Sequence, residues 1–246
     1  MALPVNVFRP SHHLTQAREA STVEAPAQMT LFKPEVAAVL LRLYSEAVEN
    51  DAQLKLEEEA ALKAAENGRL DDDTLASIQN RTFMAVAPEV GRLLYLLVRT
   101  HKPSRIVEFG TSFGISAIHL AAALRDNGSG RILTTEQSSE KVLRAAQHFE
   151  QACLSDLIEL RQGDAFTTLA GVEKIDMLVL DGWKPLYLPL LQKLEPVLSP
   201  RCLVVADDVI SLAAKCRPYL DYVRDRANGY ISCEIPLDDG VELSFR

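Results

Sequence analysis

Residues 105–116 read RIVEFGTSFGIS, and their reading sets the architecture. A short apolar run, 105–110, meets a turn punctuated by Gly110 and Gly114. Residues 115–125 then take helical spacing and stop at Asn127-Gly128. Strand, tight turn and helix form one unit, and the unit recurs downstream. Strands at 131–136, 158–161, 175–181 and 201–208 alternate with helical stretches at 140–152, 165–170, 186–198 and 212–227. Continuous apolar strands alternating with helices predict a parallel sheet covered on both faces, and right-handed crossovers make it doubly wound. Two closing strands, 230–236 and 241–245, are joined around Asp239-Gly240 with no helix between them, which predicts an antiparallel pair at one edge. The expected fold is α/β: a doubly wound, mostly parallel, seven-stranded sheet.

Upstream of this rhythm, residues 89–102 read as a helix framed by Pro88 and Pro103. Residues 34–65 are helical, with Leu40, Leu41, Leu43, Tyr44 and Val48 at helix spacing and Asn67-Gly68 as the stop. Glu57, Glu58 and Glu59 form a solvated face, and Asp71, Asp72 and Asp73 are candidates to cap the next helix. Residues 1–30, with Pro4, Pro10 and Pro26 among polar neighbours, read as a flexible leader. The chain thus divides into a leader (1–30), a helical extension (31–87) and the sheet domain (88–246).

The 246 residues are 48% hydrophobic and 24% charged, enough for one sizeable core. A net charge of -8 argues against nucleic acid held by broad phosphate attraction. No apolar run is long enough to span a bilayer, and the opening MALPVNVFRPSHHL lacks the apolar centre of a secretion signal, so a cytoplasmic protein without a membrane partner is expected. Cys153, Cys202, Cys216 and Cys233 show no metal-binding spacing and read as buried thiols. His12, His13, His101, His119 and His148 form no metal-ligating pair and read as structural.

The chemistry lies at the carboxyl ends of the strands, where open α/β sheets bind ligands. The first turn, with Glu108, Gly110, Thr111, Ser112, Gly114 and Ser116, lets backbone approach a ligand closely, and its G-x-x-x-G spacing departs from the dinucleotide fingerprint. Glu136, followed by Gln137, ends the second strand, where an acid can accept both ribose hydroxyls or merely be exposed. Asp164, in Gly163-Asp164-Ala165, can bind an adenine amino group or cap the next helix. Together these acids suit a nucleoside with a free ribose. Asp181 ends the fourth strand and Asp207-Asp208 the fifth, and three carboxylates so close repel unless a cation or basic group neutralises them. Hard oxygen ligands of this kind suit Mg²⁺, Ca²⁺ or Mn²⁺. Lys184, three residues after Asp181, can be a general base if desolvated or an ordinary loop lysine; Trp183 can stack on a flat ring or pack.

These residues resemble the catechol and caffeoyl-CoA O-methyltransferase family, especially its bacterial members, from about Met84 onward. VEFGTSFGISAIHLA is similar to the family's first S-adenosylmethionine (SAM) motif, MLVLDGWKPLY to its lysine-bearing stretch, VVADDV to its paired metal-ligand motif, and MAVAPEVGRLL also matches. The resemblance implies a class I, Rossmann-like methyltransferase. Met84 and Val86 would line the methionine part of SAM, Gly110 and Ser116 would hold its amino-acid end, and Glu108, Thr111, Ser112 and Gly114 would also bind the cofactor. Glu136 would take the ribose hydroxyls, Asp164, Ala165 and Trp183 would frame the adenine, and Gln137 and Asp181 would also contact the cofactor. Asp181, Asp207 and Asp208 would hold Mg²⁺ or another divalent cation, and Lys184, beside Asp181, would take a proton from a small aromatic acceptor. Two positions depart from the family: Asp208 stands where Asn is usual, and Gly182 where the catechol enzyme has histidine. The apolar face of the helical extension is buried either on a second subunit, as in the homodimers of similar bacterial proteins, or on the chain's own sheet. The rival readings are an NAD-dependent oxidoreductase, a non-catalytic SAM-binding protein and a metal-independent methyltransferase.

Overall fold

The structure is a computed structural model that describes residues 28–65 and 69–246. The leader expected at 1–30 lies almost wholly outside the described residues, as do His12, His13, Asn67 and Gly68. Two helices, α1 (Pro34–Ala64) and α2 (Asp72–Arg81), precede the sheet domain. The domain then runs α3 (Pro88–His101), β1 (Arg105–Phe109), α4 (Ile115–Asn127), β2 (Arg131–Glu136), α5 (Ser139–Gln151), β3 (Ile158–Gln162), α6 (Ala165–Thr168), β4 (Ile175–Leu180), α7 (Tyr187–Leu194), β5 (Leu198–Ala206), α8 (Ala213–Arg224), β6 (Ile231–Ile235) and β7 (Val241–Phe245). Strand order is β3-β2-β1-β4-β5-β7-β6. The first five strands pair in parallel, and β7 is antiparallel to both β5 and β6.

Side chains alternate across the sheet because successive strand residues point to opposite faces. Ile106, Ile132, Met177 and Val179 join the core made with α1, α3, α4 and α5. Val107, Leu133, Leu178 and Leu180 join the core made with α7 and α8. The order reverses between β1 and β4, so the crevice at their carboxyl ends is the expected ligand site. The inner face of α1, with Val36, Val39, Leu40 and Leu43, packs into the first of these cores. That side of α1 is therefore covered by its own chain, whereas Leu41 and Val48, expected on the apolar face, are exposed.

Local chemistry explains most boundaries. Asp71 caps α2, accepting from Thr74 N at 2.8 Å. Pro88 opens α3, where a missing N–H is harmless. Three expectations need correction. The helix expected over 186–198 is shorter: a 3-10 turn (Lys184–Leu186) leads into α7, another (Glu195–Val197) follows it, and β5 already begins at Leu198. Pro196 supplies no N–H to continue the α-helical ladder. Strands β4 and β5 stop at Leu180 and Ala206, so the acids sit just beyond the tips. Cys202 and Cys216 are buried, but Cys153 and Cys233 are exposed, the first in a left-handed turn after α5 (φ 55) and the second on the outermost strand; all four thiols are free. No described helix is long and apolar enough to cross a membrane.

Candidate active site

The turn after β1 is pinned from three sides. Gly110 N and Thr111 N both donate to Thr135 O, at 3.2 and 3.1 Å, and Asp181 N donates to Phe109 O at 2.9 Å. Gly110 has φ +96, and a Cβ there would stand 2.5 Å from the Asp181 carbonyl oxygen. Only glycine permits that approach of β1 and β4. Ser112 N donates to Glu136 Oε2 and Ser138 N to Glu136 Oε1, each at 2.9 Å. Glu136 thus binds the loop amides with both of its oxygens. Gly114 precedes α4 in the left-handed region, and Ser116 is buried in the first turn of that helix.

Glu108 lies beneath this turn and is fully buried. Thr134 Oγ1 donates to its Oε2 at 2.6 Å, while Oε1 has no hydrogen-bond partner. Burial pushes its carboxyl up to about 7, against the opposing pull of the Thr134 hydroxyl. Beside it, residues 83–86, residues 111–113, Ile115, Ser116 and Asp181 line a recess of about 10 Å³. Met84 is 59% exposed at the rim, whereas Val86 is buried.

At the neighbouring tips of β4 and β5 the acids converge, and the cation among them is Lys184. Its ammonium stands 2.7 Å from Asp208 Oδ2 and 3.6 Å from Asp181 Oδ1, and donates to the Tyr187 hydroxyl at 2.9 Å. Tyr187 in turn donates to the Asp207 carbonyl at 3.3 Å. Lys184 is 7% exposed. Burial alone would lower its pKa, but the Asp181 and Asp208 carboxylates outweigh it and hold the ammonium above its ordinary value. Burial raises the Asp181 carboxyl well above the usual range and pushes Asp207 to about 7, with Asp208 adding to both. Among the described residues, no three His, Cys, Asp or Glu side chains are grouped so as to hold a metal ion in this arrangement. Lys184 takes the central place expected for one.

The remaining candidates spread outward. Asp164 makes the helix cap, accepting from Thr167 N at 3.0 Å, with Ala165 buried behind it. Gln137 is exposed. Trp183 is 53% exposed, with Lys215 Nζ 5.4 Å from its ring centre. His119 and His148 are buried, each bonded through Nδ1 to a backbone carbonyl, in the structural role expected. Sequence reasoning missed Tyr187, although its place one helical turn after Lys184 was a usable signal.

Residues 107–209 match the family model described as a methyltransferase domain. The catechol O-methyltransferase of Niastella koreensis is 32% identical over 151 residues, covering 57% of this chain and 67% of the relative. The chain belongs to the catechol O-methyltransferase family of class I, SAM-dependent O-methyltransferases. Catechol O-methyltransferase B of Danio rerio is 30% identical over 176 residues, covering 65% of each chain. The chain thus spans about two thirds of the length of these relatives. Among solved structures, the Streptomyces achromogenes O-methyltransferase TomG, involved in tomaymycin synthesis and solved in complex with SAM, is 27% identical with a TM-score of 0.58, covering 66% of this chain and 81% of that one. As a member of the catechol O-methyltransferase family, the chain has its glycine turn and its lysine and paired-acid tips within the matched segment.

Proposed function

We propose that this protein transfers the methyl group of SAM to one hydroxyl of a small, catechol-like aromatic acceptor. The observation that carries the reading is Lys184 buried among Asp181, Asp207 and Asp208, at strand tips adjoining the glycine turn. The turn fits SAM: Gly110 leaves room for close backbone approach, and the orphaned Glu108 Oε1 beneath it suits an ammonium donor such as the one on the methionine end. In the reaction the acceptor oxygen forms a bond to the methyl carbon as the carbon–sulfur bond breaks, leaving the neutral thioether.

Three acidic side chains meet at one ammonium, and their hard oxygen donors fit a divalent cation, which would favour the ionised carboxylates against the burial that raises Asp181 and Asp207. Asp181, Asp207 and Asp208 would hold it. Such an ion supplies Lewis-acid polarisation of an acceptor oxygen. Lys184 is an ammonium while it grips Asp208 and accepts no proton in that state. Freed of its carboxylate partners, it retains its burial, which favours the neutral amine and makes it a base for the acceptor hydroxyl. Tyr187 holds the side chain in place through the 2.9 Å contact.

A second reading is favoured by the 2.7 Å Lys184–Asp208 pair: the ammonium itself neutralises the site and transfer needs no metal. One experiment separates the two. Turnover of catechol and hydroxycinnamoyl acceptors is measured with EDTA, with Mg²⁺, and in Lys184→Met. The metal-assisted reading expects loss with EDTA and recovery with Mg²⁺; the second expects indifference to both. Either way Lys184→Met should lower kcat by about 10²–10⁴-fold with SAM affinity nearly unchanged. Full turnover by that variant contradicts the role given to Lys184.

A further inference from the structure

We propose that Asp51, on α1, latches a lid over the cofactor recess, and that breaking this latch governs how fast SAM enters and leaves. The inference rests on reading the recess as the seat of the cofactor's methionine end.

The recess is narrow, about 10 Å³ between its walls with a mouth open to solvent, so displacing a wall widens it for an amino-acid-sized group. Its inner walls cannot readily move. They belong to α4, buried from Ile115 through Leu124, and to the sheet tip at Asp181. The outer wall is the irregular stretch between α2 and α3, containing Phe83, Met84, Ala85 and Val86. Its backbone is under tension at Met84, a non-glycine residue at φ 47. Nothing in its own local structure holds it down, because these residues make neither helix nor strand.

What holds it down comes from elsewhere in the chain. Asp51 accepts from Phe83 N at 2.8 Å through Oδ1 and from Met84 N at 3.2 Å through Oδ2. Both bonds are charge-assisted, the stronger class of hydrogen bond. The neighbouring Asn50 donates to Arg81 O at 2.8 Å. On the inner side, Ser112 Oγ donates to Phe83 O at 2.6 Å, and the Phe83 ring stacks on Phe113 with centres 4.0 Å apart. Ser112 and Phe113 belong to the glycine turn, so the lid is clamped between α1 and the turn itself. Arg144 lies over Phe113 at 4.5 Å and is held by Glu46 of α1 at 2.9 Å. The buried Lys141 also lies over the Phe113 ring, at 5.4 Å, with Asp51, Glu136 and Glu140 as its acidic neighbours. The helical extension, which contributes no strand and no strand-tip acid, thereby gains a role in the cofactor site.

A latch made in both the empty and the loaded protein slows passage in both directions and leaves affinity nearly unchanged. Binding and release of radiolabelled SAM, followed by rapid filtration, test it in wild type, Asp51→Ala and Asp51→Asn. Asp51→Ala should raise both the association and dissociation rates about tenfold, with Kd moving less than about threefold. Asp51→Asn keeps one acceptor oxygen and should show a smaller rise, about threefold in each rate; it decides the matter if the alanine variant does not fold. Simple loosening of the fold would not speed association. An association rate unchanged or slower in the folded variants overturns the latch. Failure of the wild type to bind SAM would instead overturn the reading of the recess.

Discussion

Glu108 shows how the burial of a single carboxyl can count against the fold. Buried completely, with Oε1 unpaired, it is raised from 4.5 to about 7. The unfolded chain ionises it near 4.5, while the folded protein keeps it protonated until about 7. Its contribution therefore favours the fold at low pH and is lost as pH rises through that window. Wild type should lose on the order of 3 kcal/mol of stability from this group between pH 4.5 and pH 8, because the folded carboxyl ionises near 7 and the unfolded one near 4.5. Glu108→Gln should remove that part of the slope and bind SAM more weakly. Urea unfolding at pH 5 and pH 8, with a SAM titration, checks both; a variant with the wild-type slope would sink the assignment. The mirror case is Gly110, where the requirement is for no side chain. Gly110→Ala would force a Cβ against the Asp181 carbonyl in a backbone region alanine rarely adopts, and both stability and SAM binding should fall. Calorimetry with SAH and a thermal melt report the two losses.

At the scale of elements, the crossing of α3 over α4 orients the turn. Gly91 of α3 faces His119 of α4, and a Cβ at that position would lie 2.6 Å from the imidazole. The ring has little freedom to retreat: its Nδ1 is tied to Ile115 O at 2.9 Å and the residue is 3% exposed. Gly91→Ala is expected to destabilise by about 1–3 kcal/mol through overpacking. It should also weaken SAM binding, because Ile115 and Ser116 line the recess at the start of the same helix. Denaturant midpoints and a SAM titration measure the two effects; a neutral substitution would mean that α3 can slide. The same helix carries Tyr95, whose hydroxyl donates to Asp126 at 2.5 Å, while Thr30 N donates to both Asp126 oxygens at 3.0 Å. That network seats the start of the extension on the sheet domain.

For the molecule as a whole, the two cores on opposite sides of the sheet make the site a product of global folding, and cofactor binding should stabilise everything together. SAH at a hundredfold excess over its Kd should add about 2.7 kcal/mol of stability. For a chain of this size that corresponds to a rise in Tm of roughly 5–10 °C. Differential scanning calorimetry with and without SAH checks it; an unshifted transition at saturating SAH would remove the recess as a cofactor seat.

Most of the fold was legible because its signals are local. The apolar runs, Pro88, the glycines of the first turn and Asp239-Gly240 each constrain their own neighbourhood, and strand periodicity then dictates which side chains meet which helices. Where a proline altered the hydrogen-bond ladder, at Pro196, pattern reading ran one helix too long. The candidate site was half legible. Strand-end acids and a lysine three residues on could be placed at one sheet edge from topology alone. Tertiary structure decided that the Lys184 ammonium stands between Asp208 and Asp181, that Glu108 is left without a second partner, and that Asp51 reaches across 32 residues to the Phe83 amide. Sequence by itself determined which residues could carry charge and where the backbone must turn, because those are properties of single residues and short spans. Which charges meet, and which are desolvated, depends on distances that only the packed chain sets, and Coulomb and hydrogen-bond energies follow those distances rather than the order of residues.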